Sequence, residues 1–244
     1  MFSFDQAIIT FLNGFARRSP GFDRLVVFVS GDLLLKGGLF MAMVAYAWFR
    51  PDTQGSVRRT RGLILATFVG AFVALLLARG LCVTMPFRPR PLATPQFVVP
   101  AGIGAEDEAA FARMSSFPSD HATLFVALSV GLLFICRPLG TVALLFASLV
   151  ILLPRLYLGY HWPSDLLAGA ILGTICTLLA IALASLGRPR RLLDRLLAWA
   201  ERHPAPFYAI AYLVSIQVAE LFVSVRGLIH FRALLHGVAH LTGL

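Results

Sequence analysis

Three short segments of this sequence hold residue types that bind and transfer phosphoryl groups. Their chemically capable side chains are Arg88, Arg90, Ser119, His121, Arg155, His161 and Asp165. Arginine guanidinium groups bind phosphate oxygens in pairs, and an imidazole can act as a nucleophile, an acid or a base. The combination therefore predicts a phosphate-binding site that works by histidine chemistry.

The third segment, RLYLGYHWPSD, predicts the geometry of its own histidine. His161 and Asp165 are four residues apart, so the carboxylate reaches the imidazole if a helix begins near Trp162. A carboxylate in that position fixes the imidazole tautomer and supports a positive or covalently modified ring. We therefore predict that His161 attacks phosphorus and that His121 protonates the leaving oxygen.

The other polar groups of these segments are predicted to bind the phosphate. Arginines would replace Mg²⁺ in stabilising the transition-state charge, and Ser119 would donate a further hydrogen bond. The helix that starts near His121 would add backbone N–H groups. Because no cluster of cysteine, histidine or carboxylate groups here has metal-ligand spacing, we expect neither a metal ion nor another cofactor.

The composition places this chemistry in a membrane. Hydrophobic residues make up 58% of the chain, charged residues only 14%, and the mean hydropathy is +0.81. The net charge of +9 comes from arginines in short segments between apolar stretches, which is how topology-setting charge is distributed. We expect an integral membrane protein whose partners are the lipid bilayer and a lipid phosphate, not nucleic acid. The oligomeric state stays open.

The predicted fold is an all-α, polytopic membrane bundle of about six transmembrane helices, with a core of five and with amphipathic interfacial helices. The spans are predicted at about 25–49, 62–85, 121–137, 139–153, 166–186 and 207–225. Asp32 and Lys36 lie one helical turn apart in the first span and are expected to pair.

The predicted organisation has four parts. Residues 1–20 form an N-terminal amphipathic surface segment, 21–186 the transmembrane catalytic core, 187–206 a basic interfacial helix, and 207–244 a C-terminal transmembrane helix with an amphipathic tail. Interfacial helices of this kind combine an apolar face with an arginine-rich face.

The basic residues also predict an orientation. Four arginines follow the first span, Arg137 follows the third, and five arginines follow the fifth. Short loops that carry basic residues stay in the cytoplasm. The loops after the second and fourth spans, which carry the three segments, then lie on the outer face. We expect a protein of the bacterial inner membrane whose site faces the periplasm.

The three segments resemble the motifs of the type 2 phosphatidic acid phosphatase (PAP2) superfamily, in its membrane lipid phosphatase branch. That pattern is a lysine six residues ahead of Arg-Pro, then Pro-Ser-Gly-His, then Ser-Arg followed by His and Asp. The second and third motifs match in spacing, and the helical pattern extends the likeness over roughly 25–186. The resemblance implies a phosphohistidine on His161, oriented by Asp165, with His121 as acid and then base. It also implies phosphate contacts from Arg90, Arg155 and Ser119.

The first motif departs from this pattern. Val83 stands at the lysine position counted from Arg90, and Leu81 stands there counted from Arg88. Arg79, earlier on the same helix, is expected to substitute with altered spacing.

Two further departures lie in the other motifs. Asp120 replaces the glycine of the second motif, which keeps the backbone N–H but adds a negative charge that an arginine is expected to compensate. Pro154 replaces the serine before Arg155 and removes a hydroxyl. The phosphate-binding set is therefore Arg155, Ser119, Arg90, Arg88, Asp120 and Arg79.

The sequence leaves several substrates and two other functions open. Undecaprenyl pyrophosphate, phosphatidic acid and phosphatidylglycerol phosphate are the candidate substrates. A phosphotransferase would use the same phosphohistidine with a lipid or sugar acceptor in place of water. A non-catalytic protein that binds or transports lipid phosphates is the other alternative.

Some polar groups lie outside the three segments. His236 and His240, with His230 nearby, have a spacing that could bind a metal, although a polar helix face explains it more simply. Glu220, near Gln217 in the sixth span, is expected to be a structural partner for another helix rather than part of a polar cavity. The three cysteines are expected to be core residues without a disulfide.

Overall fold

The computed structural model describes residues 2–51 and 57–221, and all regular secondary structure in these ranges is helical. In chain order the helices are α1 (Ser3–Asn13), α2 (Pro20–Gly31), α3 (Leu34–Phe49), α4 (Val57–Thr84), α5 (Ala105–Ala112), α6 (Asp120–Ile135), α7 (Arg137–Tyr157), α8 (Pro163–Ala184), α9 (Gly187–Arg202) and α10 (Pro204–Ala219). A short 3-10 turn, Pro91–Ala93, lies in the long loop between α4 and α5. The all-α fold class is confirmed for the described residues.

Three of these helices, α4, α7 and α8, are long and apolar enough to cross a membrane. The pair α2–α3 makes a fourth span if its bend of 59° is counted within one crossing. Helices α6 and α10 have 16 residues each, fewer than the roughly 20 that a crossing needs. The described residues thus supply three or four candidate spans, and about six stays a prediction. The end of the sixth predicted span and the tail, 222–244, lie outside the described residues.

Helices α4, α6 and α8 pack against one another at the centre of the bundle. Lipid tails are as apolar as leucine, so helices in a membrane associate through close backbone approach at small residues. An added Cβ at Gly169 of α8 would lie 2.5 Å from the Ser119 carbonyl oxygen, and one at Gly173 would lie 2.3 Å from the Thr123 carbonyl oxygen. These glycines hold the N-terminal half of α8 directly against the start of α6.

Helix α1 joins the bundle through its polar face. Phe4, Ile8 and Phe11 are exposed, whereas Asp5 is fully buried against the start of α8. An exposed apolar face with a buried acid on the opposite side is the arrangement of a helix that has lipid on one side and protein on the other.

The predicted ion pair between Asp32 and Lys36 does not form. The Asp32 carboxylate accepts a hydrogen bond from the Leu35 N–H at 2.7 Å, and Lys36 Nζ donates to the Ser30 carbonyl oxygen at 3.5 Å. The reason is the break between α2 and α3, because the free N–H groups at the start of α3 take up the carboxylate.

Candidate active site

The three predicted segments meet at one end of the bundle. The Ser119 N–H donates to the Asp165 carbonyl oxygen at 3.2 Å, which joins the second segment to the third. The Leu92 N–H donates to the Gly159 carbonyl oxygen at 2.9 Å, which joins the loop of the first segment to the third. Gly159 has a φ of 69°, and a Cβ there would lie 2.9 Å from the Leu92 nitrogen. Only glycine fits this turn without strain.

Ser119 fixes the start of α6. Its Oγ accepts a hydrogen bond from the Ala122 N–H at 3.5 Å, and its carbonyl oxygen accepts one from Thr123 Oγ1 at 2.9 Å. Ser119 is therefore the N-cap, as a serine at this position favours. The cap places His121 on the first turn of α6, beside the third segment.

His161, between α7 and α8, is buried with 6% of its surface exposed. Its Nδ1 lies 2.8 Å from the Ser116 carbonyl oxygen and 3.8 Å from Asp165 Oδ2. A carbonyl oxygen can only accept, so Nδ1 carries the hydrogen and Nε2 keeps a free lone pair. The predicted nucleophile is thus in the required tautomer, and the Ser116 carbonyl shares the orienting role that was predicted for Asp165 alone.

Asp165 is held from two sides. Its Oδ2 accepts the Trp162 N–H at 2.7 Å, and its Oδ1 accepts Arg88 Nη1 at 2.5 Å. Helix α8 begins at Pro163, next to Trp162, so the predicted helix start near Trp162 is confirmed. The carboxylate faces Nδ1 of His161 from a fixed position.

Arg88 lies behind Asp165 and between two carboxylates. Its Nη2 donates to Asp5 Oδ2 at 2.7 Å, and its Nη1 also donates to Ser164 Oγ at 2.9 Å. Asp5 Oδ1 accepts the Ser164 N–H at 2.8 Å as well. The charge of Arg88, which was predicted to bind phosphate, is therefore taken up by Asp5 and Asp165. Asp5 was missed by sequence reasoning, and its signal in the sequence is that it is the one charged residue of the amphipathic helix α1.

Arg79 and Asp120 form a salt bridge with each other. Arg79 lies in the last turns of α4 and Asp120 opens α6. The expectation that an arginine compensates Asp120 is confirmed, and the arginine is Arg79.

Arg90 and Arg155 are buried cations that donate to neutral oxygen atoms. Arg90 donates to the carbonyl oxygens of Tyr160 at 2.7 Å and Met114 at 3.2 Å, and Arg155 donates to Ser30 Oγ at 2.8 Å. Within residues 2–51 and 57–221, neither arginine forms a salt bridge with a carboxylate. Their positive charges act on His161.

Several buried polar atoms around these residues have no hydrogen-bond partner. They include Arg155 Nε, His121 Nε2 and Ser116 Oγ. A buried polar atom left unsatisfied costs about 1–3 kcal/mol, so such atoms usually belong to a site that binds something. Arg155 Nε, His121 Nε2 and Ser116 Oγ, near two arginines that form no salt bridge, fit an anion with several oxygen atoms.

The electrostatic environment keeps His161 neutral. Burial lowers the pKa of His161 to about 4, although the carboxylate of Asp165 acts in the opposite direction. Burial also lowers the pKa of Arg90 to about 10, which leaves this arginine charged at neutral pH. The site therefore pairs an unprotonated nucleophile with positive charge.

Other predicted features are less informative. Across the described parts of the chain, no group of three or more histidine, cysteine, aspartate or glutamate side chains is arranged to hold a metal ion. His230, His236 and His240 lie outside the described residues. Cys82, Cys136 and Cys176 are free thiols; Cys176 is buried, as expected of a core residue, whereas Cys82 and Cys136 are half-buried, so the core prediction is wrong for these two.

Known proteins resemble the chain across the same region. The family model of the PAP2 superfamily matches residues 59–187. Undecaprenyl-diphosphatase BcrC of Bacillus subtilis is 26% identical over 180 residues, which cover 73% of this chain and 83% of that protein. Putative undecaprenyl-diphosphatase YbjG of Escherichia coli is 27% identical over 194 residues, covering 79% and 88% respectively. No solved structure matches the chain.

The matched region contains both histidines, the uncompensated arginines and the three helices at the centre of the bundle. Family match, membrane-type helices and site geometry agree on one class of protein. The chain belongs to the PAP2 superfamily and is, at the level of that family, a membrane lipid phosphatase.

Proposed function

We propose that the protein hydrolyses a phosphate or diphosphate ester of a membrane lipid through a phosphohistidine on His161, without a metal ion. The convergence of two imidazoles with Arg90 and Arg155 carries this proposal. Both arginines are buried and donate to neutral oxygens. A buried charge without a counter-ion is costly, and a phosphate supplies the opposite charge with the oxygen atoms that the unpartnered donors need.

In the first step, Nε2 of His161 attacks the terminal phosphorus atom. The bond between phosphorus and the leaving oxygen breaks, and His121 gives its proton to that oxygen. Arg90 and Arg155 stabilise the charge on the other phosphoryl oxygens. The Ser116 carbonyl and Asp165 hold the Nδ1–H of His161, so the ring can carry the positive charge that develops.

In the second step, water attacks the phosphorus atom of the phosphohistidine. His121 accepts a proton from that water, the phosphorus–nitrogen bond breaks, and inorganic phosphate leaves. The positive charges of Arg155, Lys36 and Arg90 act on His121. Burial of the ring disfavours a proton on His121 more than these charges do. A bound phosphate anion offsets the charges and so favours the protonated imidazole that the first step requires.

A lipid substrate is supported by an apolar groove near the site. The groove has a volume of about 430 Å³, and its lining includes Phe22, Leu153, Pro154 and Tyr157. Pro154 directly precedes Arg155, so an alkyl chain in this groove would end close to the phosphate-binding arginine. Since the two relatives above are named undecaprenyl-diphosphatases, a polyprenyl diphosphate is the first substrate to test.

We place the reaction at the outer, periplasmic face of the membrane. This part of the proposal rests on the arginines that follow the first, third and fifth predicted spans. A site on that face would act on lipid phosphates whose headgroups are exposed outside the cytoplasm.

The test is phosphate release by purified protein from undecaprenyl pyrophosphate, phosphatidic acid and phosphatidylglycerol phosphate. We expect wild-type protein to release inorganic phosphate and His161→Ala to lose at least about 10³-fold in rate. His203→Ala, an exposed histidine at the end of α9, is the matched control and should keep wild-type activity. Normal turnover by His161→Ala would remove the nucleophile from the mechanism.

Metal independence is tested separately. Activity should persist in EDTA, and vanadate, which mimics pentacoordinate phosphorus, should inhibit. Loss of activity in EDTA with recovery in Mg²⁺ would contradict the arginine-based mechanism. Transfer of label to a lipid or sugar acceptor, in place of phosphate release, would indicate a phosphotransferase.

A further inference from the structure

Lys36 and Arg155 converge on one residue of α2. Arg155 Nη1 donates to Ser30 Oγ at 2.8 Å and Arg155 Nη2 to the Ser30 carbonyl oxygen at 3.5 Å, while Lys36 Nζ donates to the same carbonyl oxygen at 3.5 Å. Ser30 is buried, with 6% of its surface exposed. Two cations therefore approach each other on a single neutral oxygen atom, which is unfavourable without an anion nearby.

Irregular helical turns place both cations beside Ser30. Lys36, the only lysine of the 244 residues, lies in a π turn, Leu34–Gly38, directly after the break between α2 and α3. Arg155 follows a second π turn, Ala147–Leu152, within α7. π turns inside helices frequently occur at functional sites because they redirect side chains.

The positive charge here exceeds what the protein itself neutralises. Arg79 and Arg88 are paired with carboxylates. In the described part of the chain, Lys36, Arg90 and Arg155 have no carboxylate within salt-bridge distance. The charges of Asp32 and Asp165 act on Lys36 and Arg90 only from farther away. All three charges act on His121, so they surround the same space as the two histidines. A diphosphate ester carries more negative charge than a monophosphate ester and has a second set of oxygen atoms.

We propose that Lys36 and the Ser30-bound face of Arg155 form a subsite for the second phosphate group, so that the site selects diphosphate over monophosphate. The terminal phosphate lies between His161 and His121, with Arg90 beside it. The phosphate that leaves with the lipid lies against Lys36. This subsite rests on the function proposed above and names the substrate class that it favours.

A structural role for Lys36 makes a different prediction. The Ser30 carbonyl oxygen belongs to the last turn of α2, where carbonyl groups lack helical partners and cations are favourable. If Lys36 only stabilised that helix end, its loss would lower the stability of the protein and would weaken the binding of all anions equally. The measurement that distinguishes the two roles is the preference for pyrophosphate over phosphate. A subsite predicts that Lys36 contributes to this preference, and a helix cap predicts that it does not.

The experiment measures the binding of inorganic pyrophosphate and inorganic phosphate to purified full-length protein by calorimetry. Wild-type protein should bind pyrophosphate at least about tenfold more tightly than phosphate. Lys36→Met should raise the Kd for pyrophosphate about tenfold, the size expected for one hydrogen bond to a charged group. The Kd for phosphate should change less than about threefold, and Lys36→Arg should keep the preference because it keeps the charge.

Arg59→Met is the matched control for net charge. Arg59 is exposed near the start of α4, about 30 Å along the helix from Arg79, and its loss should change neither Kd. Equal binding of both anions by wild-type protein, or an equal loss of both in Lys36→Met, overturns the subsite. Because binding and phosphate release are measured in separate experiments, a protein that prefers pyrophosphate in binding but releases no phosphate would refute the proposed hydrolysis and support the subsite.

Discussion

His161 is oriented by two acceptors of different kinds. The Ser116 carbonyl oxygen, at 2.8 Å, fixes the hydrogen on Nδ1, and the Asp165 carboxylate, at 3.8 Å, supplies negative charge behind the ring. A neutral acceptor sets the tautomer at little electrostatic cost, and the carboxylate stabilises the ring when it becomes positive. The Ser116 carbonyl thus leaves Nε2 free to attack, and Asp165 stabilises the positive charge of the ring.

A pH dependence follows at this scale. Because the pKa of His161 is lowered to about 4 by burial, the imidazole stays unprotonated in mildly acidic solution and is lost as a nucleophile only when the pH falls through about 4. We expect kcat/KM, corrected for the separately measured ionisation of the substrate phosphate, to keep most of its pH 7 value at pH 5. An acid limb centred near 6.5, the ordinary value for histidine, would contradict this environment.

At the scale of elements, two helix contacts build the site. Helix α8 lies against α6 because Gly169 and Gly173 have no side chains, and α1 lies against α8 because Asp5 binds Arg88 and Ser164. The first contact sets the distance between the two histidine-bearing segments. The second holds the carboxylate of Asp165 through Arg88.

Gly169→Ala tests the first contact. The added Cβ would lie 2.5 Å from the Ser119 carbonyl oxygen and 2.9 Å from Thr123 Oγ1, so α8 must move away from the cap that positions His121. A misplacement on the order of 1 Å can cost about 10²-fold in rate, and we expect a loss of that size in kcat. Gly80→Ala, in α4 with nothing within 4 Å, should leave the rate unchanged. Full activity in Gly169→Ala would show that the close contact between α8 and α6 does not position the site.

Asp5→Asn tests the second contact. It removes one of the two carboxylates that hold Arg88, and loss of one partner of a buried pair costs on the order of 3 kcal/mol. We expect a lower thermal midpoint together with reduced phosphate release. The Asp5→Asn, Arg88→Gln double variant should cost less than the sum of the two single variants, because both remove the same interaction. Strict additivity in the double-mutant cycle would show that Asp5 and Arg88 do not interact energetically.

For the whole molecule, the distribution of basic residues predicts which side of the membrane the site faces. The arginine-rich segments after 49 and 186, together with Arg137, alternate along the chain with the loops that carry the three motifs. Loops rich in arginine stay in the cytoplasm during insertion. The alternation therefore predicts that the candidate active site lies on the side of the membrane opposite the cytoplasmic loops.

Cysteine labelling tests this orientation. In a background with Cys82, Cys136 and Cys176 replaced by alanine, Gln96→Cys lies in the exposed loop beside the site and Arg188→Cys opens α9. A membrane-impermeant maleimide should label position 96 in intact cells and position 188 only after permeabilisation. The reverse pattern would place the site in the cytoplasm.

The sequence alone was sufficient to predict the membrane setting, the all-α class and the residue types of the site. Apolar composition decides the environment without reference to contacts. The spacing of His161 and Asp165 is local, so one helical turn brings the aspartate near the imidazole wherever the helix lies. The cap at Ser119 is local for the same reason.

Only the tertiary structure decided which partners these groups have. Asp5 and Ser164 are 159 residues apart, and Arg155 and Ser30 are 125 apart; no local period relates such positions. The six predicted crossings exceed the three or four candidate spans that the described helices supply, since α6 and α10 have only 16 residues each. Sequence determined the chemistry because chemistry resides in residue types and short spacings. Structure decided that Arg88 supports Asp165 while Arg90, Arg155 and Lys36 form no salt bridge in the described residues, because packing between distant segments sets which charges are neutralised.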